Sequence, residues 1–225
     1  MSRQQTDKPD AARLPNLLDF PLDEMEDFIA ASGKEKYRAR QIMKWLYQSG
    51  VTSFDAMTTL GRAFREKLPL LARIYRPSIV KIQKSQDGTQ KALLRLEDGL
   101  FIESVLIPGK NHWTLCVSTQ AGCAMGCAFC LTARQGLKRN LTPAEIVGQF
   151  VTLRQETEEG RAVGNIVMMG MGEPLANYEN TIKAIKILTS DYAVGMSNRR
   201  ITLSTCGLAP QIVQLGEDVC INLAI

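Results

Sequence analysis

Residues 116–130 read Cys-Val-Ser-Thr-Gln-Ala-Gly-Cys-Ala-Met-Gly-Cys-Ala-Phe-Cys, and within them Cys123, Cys127 and Cys130 carry the spacing CxxxCxxC. A structural zinc site closes with four Cys or His ligands, and the sole histidine, His112, is not spaced to complete one. Three thiolates on a short loop suit a four-iron cluster better, because they hold three irons and leave the fourth without a protein ligand. Gly122 and Gly126 let the backbone fold closely around such a cluster, and Phe129 is expected to wall it from solvent. The competing reading is three unrelated core thiols, since free cysteine is often a small buried hydrophobe.

Around this loop the chain alternates strand and helix. Thr114 to Ser118 reads as a strand leading into the cysteines, and a basic segment with Arg134, Lys138 and Arg139 follows. Thr142-Pro-Ala-Glu145 has the spacing of a capping box with proline at the first helical position, and Ile146, Val147, Phe150 and Val151 supply the buried face of that helix. Asn165 to Met169 is apolar enough for a parallel strand covered on both faces, and it runs into Gly170-Met171-Gly172-Glu173-Pro174. A helix over Tyr178 to Leu188 capped by Asn177, a strand over Arg200 to Thr205, a helix over Ala209 to Leu215 and a strand over Val219 to Ile225 complete the series.

Repeated βα units of this kind predict an α/β fold, a parallel barrel or partial barrel over 110–225. The cysteine loop, the Gly-Met-Gly-Glu-Pro loop and the turn after Ser204-Thr205 all fall at the carboxyl ends of its strands, where such barrels place their sites. The sequence stops inside an apolar strand with no helix to cover it. The barrel is therefore expected to be truncated after its fourth strand, with a C-terminal part absent.

Upstream, 1–20 is expected to be a flexible terminus and 21–77 a small basic helical domain. Pro21 opens a helix presenting Leu22, Met25, Phe28 and Ile29, with Gly33 beyond its end. A second helix from Lys36 to Gln48 turns Ile42, Trp45 and Leu46 inward and leaves Arg38, Arg40 and Lys44 outside, and a third carries Leu60, Phe64 and Leu68. Residues 34–91 hold 13 basic against 4 acidic side chains, while 1–33 hold 3 against 7. The net charge of +4 thus hides a strongly basic region, suited to a phosphate-rich partner or to a solvated helical face.

Between the two regions, 78–109 reads as a β-meander: Ile79 to Lys84, Lys91 to Leu96 and Leu100 to Ile107, with turns at Asp87-Gly88 and Asp98-Gly99. Alternation puts Glu103 on one face with Phe101, Val105 and Ile107. If that face is covered, the carboxylate sits in an apolar setting and is a candidate general base; on an open edge strand it simply reaches water.

The remaining composition narrows the class. No run of about 18 apolar residues is present and the N-terminus has no apolar signal region, so no membrane span or secretory signal is expected and the location is expected to be cytoplasmic. In a reducing compartment six cysteines point to ligands, catalytic thiols or core residues. A single histidine nearly excludes His-dependent hydrolases.

CxxxCxxC after a first barrel strand, followed by Gly-Met-Gly-Glu-Pro after the second, resembles the radical S-adenosylmethionine (SAM) superfamily. The longer runs CVSTQAGCAMGCAFC, RQGLKRNLTPAEI, MMGMGEPLAN and RRITLSTCG, with the basic front end, are similar to the RlmN/Cfr family of RNA adenine methyltransferases over nearly the whole chain. The resemblance implies a 4Fe–4S cluster on Cys123, Cys127 and Cys130, SAM contacts from Gly172, Glu173 and Ser204, Glu103 as proton acceptor and Cys116 as a thiol near the reacting centre. It further implies methylation of adenine C2 in 23S rRNA and in tRNAs through a methyl-cysteine and two SAM molecules, with a thiol–disulfide step at the end. The expected partners are those RNAs and an electron donor such as flavodoxin, the enzyme acting as a monomer.

In the family the methylated cysteine lies far downstream. No residue here matches it, since Cys206 and Cys220 are expected on barrel strands and too early, so this chain is not expected to methylate RNA by itself. Two alternatives stand beside the C2 reading: a Cfr-type enzyme acting at adenine C8, which Pro174 mildly disfavours, and an RNA-binding protein with a structural metal.

Overall fold

The computed structural model describes residues 14–157 and 162–225. Residues 1–13 of the stretch expected to be flexible lie outside these. Residues 14–20 are docked rather than loose: Leu17 and Leu18 are buried, and the Asp19 carboxylate accepts a 2.8 Å hydrogen bond from the Ala144 backbone N–H.

The helical region contains α1 (Leu22–Ala31), α2 (Tyr37–Met43) and α3 (Arg62–Lys67). The second helix is shorter than its periodicity predicts because its last turn, Lys44–Gln48, widens into a π-helix. Met25, Ile29, Ile42, Leu46, Leu60, Phe64 and Leu68 form the buried side of this bundle. Two arginines fasten it to the rest. Arg154 donates to the Tyr47 and Gln48 carbonyls at the end of the π turn, and Arg76 donates to the Gly50 carbonyl at 3.3 Å.

Beyond it, β1 (Ser78–Lys84), β2 (Gln90–Arg95) and β3 (Phe101–Pro108) form the antiparallel meander. Then come β4 (Trp113–Cys116), the short strands β5 (Gln120–Ala121) and β6 (Arg139–Asn140), and α4 (Leu131–Arg134) between them. The series continues with α5 (Pro143–Leu153), β7 (Val163–Met168), α6 (Tyr178–Thr189), β8 (Ile201–Ser204), α7 (Ala209–Asp218) and β9 (Asn222–Ala224). Seven strands make one sheet in the order β1-β2-β3-β4-β7-β8-β9. The first four pair antiparallel; β4, β7, β8 and β9 are parallel neighbours, as in a partial (β/α) barrel. Meander and barrel wall are therefore a single hydrogen-bonded surface.

Alternation along the parallel strands divides the two faces. Leu115, Ile166, Met168 and Leu203 are buried in the same core as Ile146 and Val147 of α5 and Ile182 and Ile185 of α6. The expected capping box is present, with Thr142 Oγ1 accepting from Glu145 N and Glu145 Oε2 accepting from Thr142 N. Asn177 does not cap α6 with its side chain; its amide donates instead to the Thr119 and Leu141 carbonyls, both at 2.8 Å, fastening the helix start to the strand ends.

These packings set a scale for stability. Truncating the fully buried Ile166 to alanine is expected to cost about 2–5 kcal/mol, whereas Thr142→Ala removes half of a capping box and is expected to cost about 1 kcal/mol. Urea unfolding of the two variants should show this order, and equal midpoints would contradict it.

Candidate active site

The cysteine loop is closed at its base by a two-stranded clasp. Strand β5 pairs with β6, and Lys138 N donates to the Ala121 carbonyl at 2.8 Å. Glycine is required at 122, where φ is +80° and a Cβ would lie 1.9 Å from the Gly136 carbonyl oxygen. Within the loop Cys130 N donates to the Cys127 carbonyl, and α4 starts directly after the third cysteine.

A cleft of about 600 Å³ opens at the carboxyl ends of the parallel strands, lined among others by Cys123, Cys127, Cys130, Glu173, Ser204 and Cys206. The three CxxxCxxC thiols thus share one cavity, large enough for a cofactor. Among the described residues no three His, Cys, Asp or Glu side chains are grouped to hold a single metal ion. Three thiols that line one cleft have the donor chemistry for a cluster in which each would bind a different iron. Phe129 does not wall this space from solvent; its side chain is 94% exposed.

The Gly-Met-Gly-Glu-Pro loop packs against the end of β4 at backbone distance. A Cβ at Gly170 would lie 2.7 Å from the Val117 carbonyl oxygen, and one at Gly172, where φ is +100°, 2.5 Å from Gln120 Cβ. Larger residues would push the loop off the strand. Gln120 Oε1 accepts from Glu173 N at 2.9 Å, and Gln120 Nε2 donates to Asn140 Oδ1 at 2.7 Å, so β5 and β6 also hold the acidic residue.

The Glu173 side chain is 4% exposed. Its carboxylate accepts from Leu175 N at 3.0 Å and from Cys206 N at 2.9 Å, and it makes no ion pair with a described residue. A buried anion supported by two N–H groups is ready to receive an ammonium group from a ligand in the cleft. Cys206 is on the loop after β8, not on the strand, and Cys220 precedes β9; sequence placement of both on strands is thereby corrected. Burial, and next the Glu173 carboxylate beside it, push the Cys206 thiol up to about 11.

Glu103 and Cys116 lie on one sheet face. Val105 pairs with Cys116, and Glu103 is two residues along the same strand, so the two side chains are diagonal neighbours whose Cα atoms stand about 7–8 Å apart. That face is only partly covered: Glu103 lines a groove with Leu131 and Thr132 of α4 and with Met171, is half exposed, and its Oε1 pairs with Lys91 Nζ at 2.9 Å. Nor is β3 an edge strand, for it lies between β2 and β4. Cys116 is buried, and that burial pushes its thiol above the ordinary range, partly offset by the Met169 backbone N–H.

Three residues to which the sequence assigns no evident role join these pieces. Ser118 Oγ donates to the Glu103 carbonyl at 2.6 Å and accepts from Met171 N at 2.9 Å. Gln149 of α5, fully buried, accepts from Ser104 Oγ and Ser118 N through Oε1 and donates to the Ser118 carbonyl through Nε2. Gln120 does the corresponding work at Glu173. The signal available in sequence was the polar run Ser118-Thr119-Gln120 at the end of an otherwise apolar strand, and a glutamine on the buried side of α5.

Comparison with known proteins finds chains similar to this one. The family described as ribosomal RNA large subunit methyltransferase N-terminal domain matches residues 15–74, and the radical SAM superfamily matches 117–223. The chain is 63% identical over 210 residues to a protein of Syntrophus aciditrophicus named dual-specificity RNA methyltransferase RlmN, covering 93% of this chain and 60% of that protein. A protein of the same name from Geobacter sulfurreducens is 52% identical over 204 residues, 91% of this chain and 56% of the relative. The chain therefore spans about 60% of the length of the curated relatives it matches. A crystal structure of a radical SAM methyltransferase from Sphaerobacter thermophilus superposes with a TM-score of 0.85 at 43% identity, over 93% of this chain and 62% of the other.

Gln149→Leu leaves Ser104 Oγ and both backbone groups of Ser118 without their partner, at about 1–3 kcal/mol for each orphaned group, so urea unfolding should show a loss of at least about 3 kcal/mol. A smaller loss would mean that the amide is not a principal tie. The raised Cys116 thiol gives a second expectation. In metal-free protein its alkylation by iodoacetamide should lag that of exposed Cys220 at pH 8 and rise with a midpoint above that of an ordinary thiol. Equal rates followed by mass spectrometry would contradict this.

Proposed function

Because the chain belongs to the RlmN/Cfr family of the radical SAM superfamily, we propose that the protein is an RNA methyltransferase acting on C2 of adenine in 23S rRNA and in tRNA. The carrying observation is a single cleft that brings Cys123, Cys127, Cys130, Glu173 and Ser204 together, next to the sheet face that bears Glu103 and Cys116. Cys123, Cys127 and Cys130 would hold a 4Fe–4S cluster, and Gly172, Glu173 and Ser204 would hold SAM. When bound, this pair supplies one-electron cleavage chemistry of the superfamily.

The chain's own residues account for positioning and proton movement. Gly172 lets the loop approach β5, and the Glu173 carboxylate would take the ammonium end of SAM while Leu175 N and Cys206 N hold its two oxygens in place. Glu103 would accept the proton released from C2; its place diagonal to Cys116 on one sheet face supports this role, although its half-exposed carboxylate lacks the apolar cover expected of a general base. Cys116 would enter the closing thiol–disulfide step, which its buried position delays until a partner thiol reaches it.

Exposed Phe129 and Leu131 beside the cysteines leave a way in for an electron donor such as flavodoxin. A monomer working in the cytoplasm agrees with the RNA substrates, and no described helix is long and apolar enough to cross a membrane.

Anaerobic reconstitution tests the reading. The protein should take up iron and sulfide in equal amounts, about four of each per chain, and cleave SAM to 5′-deoxyadenosine when a reductant is added. Cys127→Ala should lose the cluster, and Glu173→Gln should keep it while weakening SAM binding about tenfold or more. Zinc as the only bound metal would sink the enzyme reading in favour of a structural metal site.

A further inference from the structure

The regional excess of positive charge resolves differently in the two parts that carry it. In the helical region the cations are engaged: Lys36 with Asp27, Arg38 with Glu35, Arg40 with Glu26, Arg62 with Glu66, while Arg65 and Lys67 donate to backbone carbonyls. Lys44 lies over the Tyr192 ring and Lys34 over Phe64. The basic segment after the cysteines is partly structural as well, since Arg139 grips Glu145 with two hydrogen bonds and Asp98 with a third.

On the meander the arrangement is the reverse. Register places Lys81 opposite Leu93, and alternation along β2 puts Lys91, Leu93 and Arg95 on one face, which pairing continues into Phe101, Glu103 and Val105 of β3. Lys81, Lys91 and Arg95 are exposed there, and Phe101 is 48% exposed. Lys81 and Arg95 make no ion pair with a described residue, and the only carboxylate paired on this face is Glu103 with Lys91. Acidic groups at the strand ends are engaged elsewhere: Glu97 with Arg73, Asp98 with Arg139, Asp87 within its own turn.

Lysine on an edge strand often serves only to block strand addition, which would explain Lys81 on β1. It does not explain Lys91 and Arg95, because β2 is an interior strand. The same face continues through Val105 to Cys116 and so into the candidate active site.

We propose that the outer face of the meander is the surface on which an RNA strand lies as it enters the site, with phosphates on Lys81, Lys91 and Arg95 and an unpaired base against Phe101. The proposal rests on the RNA methyltransferase reading above. Cations in a row match a phosphodiester backbone, and an exposed aromatic on a sheet is a stacking platform for single-stranded bases. A phosphate reaching Lys91 also draws it from Glu103 and leaves the carboxylate free for the base that arrives with it.

The test is fluorescence anisotropy with an adenine-containing RNA hairpin over a KCl series, using the cluster-reconstituted protein. Lys81→Gln/Lys91→Gln/Arg95→Gln should lower the slope of log K against log salt by about 2, as expected for three lost phosphate contacts on single-stranded RNA. Phe101→Ala should weaken binding about tenfold at every salt concentration without changing the slope. Lys186→Gln on α6, an exposed lysine on the opposite side of the sheet, should change neither. A slope unaltered by the triple substitution, or lowered equally by Lys186→Gln, would overturn the surface while leaving the methyltransferase reading intact. Wild-type protein that binds no RNA would remove that reading and the surface with it. Loss of association with an acidic flavoprotein, with RNA binding unchanged, would assign the face to the reductant and also overturn the proposal.

Discussion

A buried side-chain amide holds the candidate site together. Gln149 reaches from α5 to the first residues beyond β4, where it accepts from Ser104 and Ser118 N and donates to the Ser118 carbonyl. In the apolar layer between helix and sheet such a group is tolerated only because its donors and acceptors are satisfied. Its position fixes Ser118, and the Ser118 hydroxyl fixes two further backbones: it donates to the Glu103 carbonyl and accepts from Met171 N. The strand carrying Glu103, the strand leading to the cysteines and the Gly-Met-Gly-Glu-Pro loop thus meet at one hydroxyl. Moving any one of them costs the hydrogen bonds of the other two.

Most of the architecture was legible from periodicity. The capping box at Thr142, the continuous apolar strand at 165–169 and the βα repetition are local patterns, and the helices and parallel strands follow them to within a few residues. The misplaced features have non-local causes. Leu17 and Leu18 look like the end of a polar terminus, yet they are buried because Asp19 meets the start of α5, 125 residues away in sequence. Asn177 reads as a helix cap, but its amide donates to the Thr119 and Leu141 carbonyls and its Oδ1 accepts from Asn180 Nδ2, so the side chain is oriented by these partners instead of by the backbone N–H groups of the helix start. Phe129 stands exposed, since spacing between ligands says nothing about the direction in which a loop side chain points.

The site divides in the same way. Cysteine spacing and the glycine-rich loop could be read directly, because each is a short motif whose chemistry constrains residue type. Glu103 could be flagged as out of pattern, but whether its face is open depends on the order of strands in the sheet, which no local signal states. Only the register of β3 against β4 puts it beside Cys116, and only the β2 register supplies Lys91. Cys206 was dismissed as a strand residue; its backbone N–H is one of the two donors that steady Glu173.

Charge and topology together explain why the meander belongs to the same sheet as the barrel. If Glu103 were carried on a separate lobe, its distance from the cluster cleft would vary with every movement of that lobe, and a proton acceptor is useful only within hydrogen-bond reach of the atom it serves. Pairing β3 directly with β4 removes that freedom at the cost of exposing an extended strand face to water. The exposed face cannot be apolar without inviting aggregation, so it carries Lys81, Lys91 and Arg95. A requirement for rigidity at Glu103, the proposed proton acceptor, would thereby produce a positively charged surface that ends at the candidate site. Helical cations lie earlier in the chain and are drawn into ion pairs that hold the bundle closed, which leaves Lys81 and Arg95, without an ion pair to a described residue, on the sheet face that carries Glu103 and Cys116.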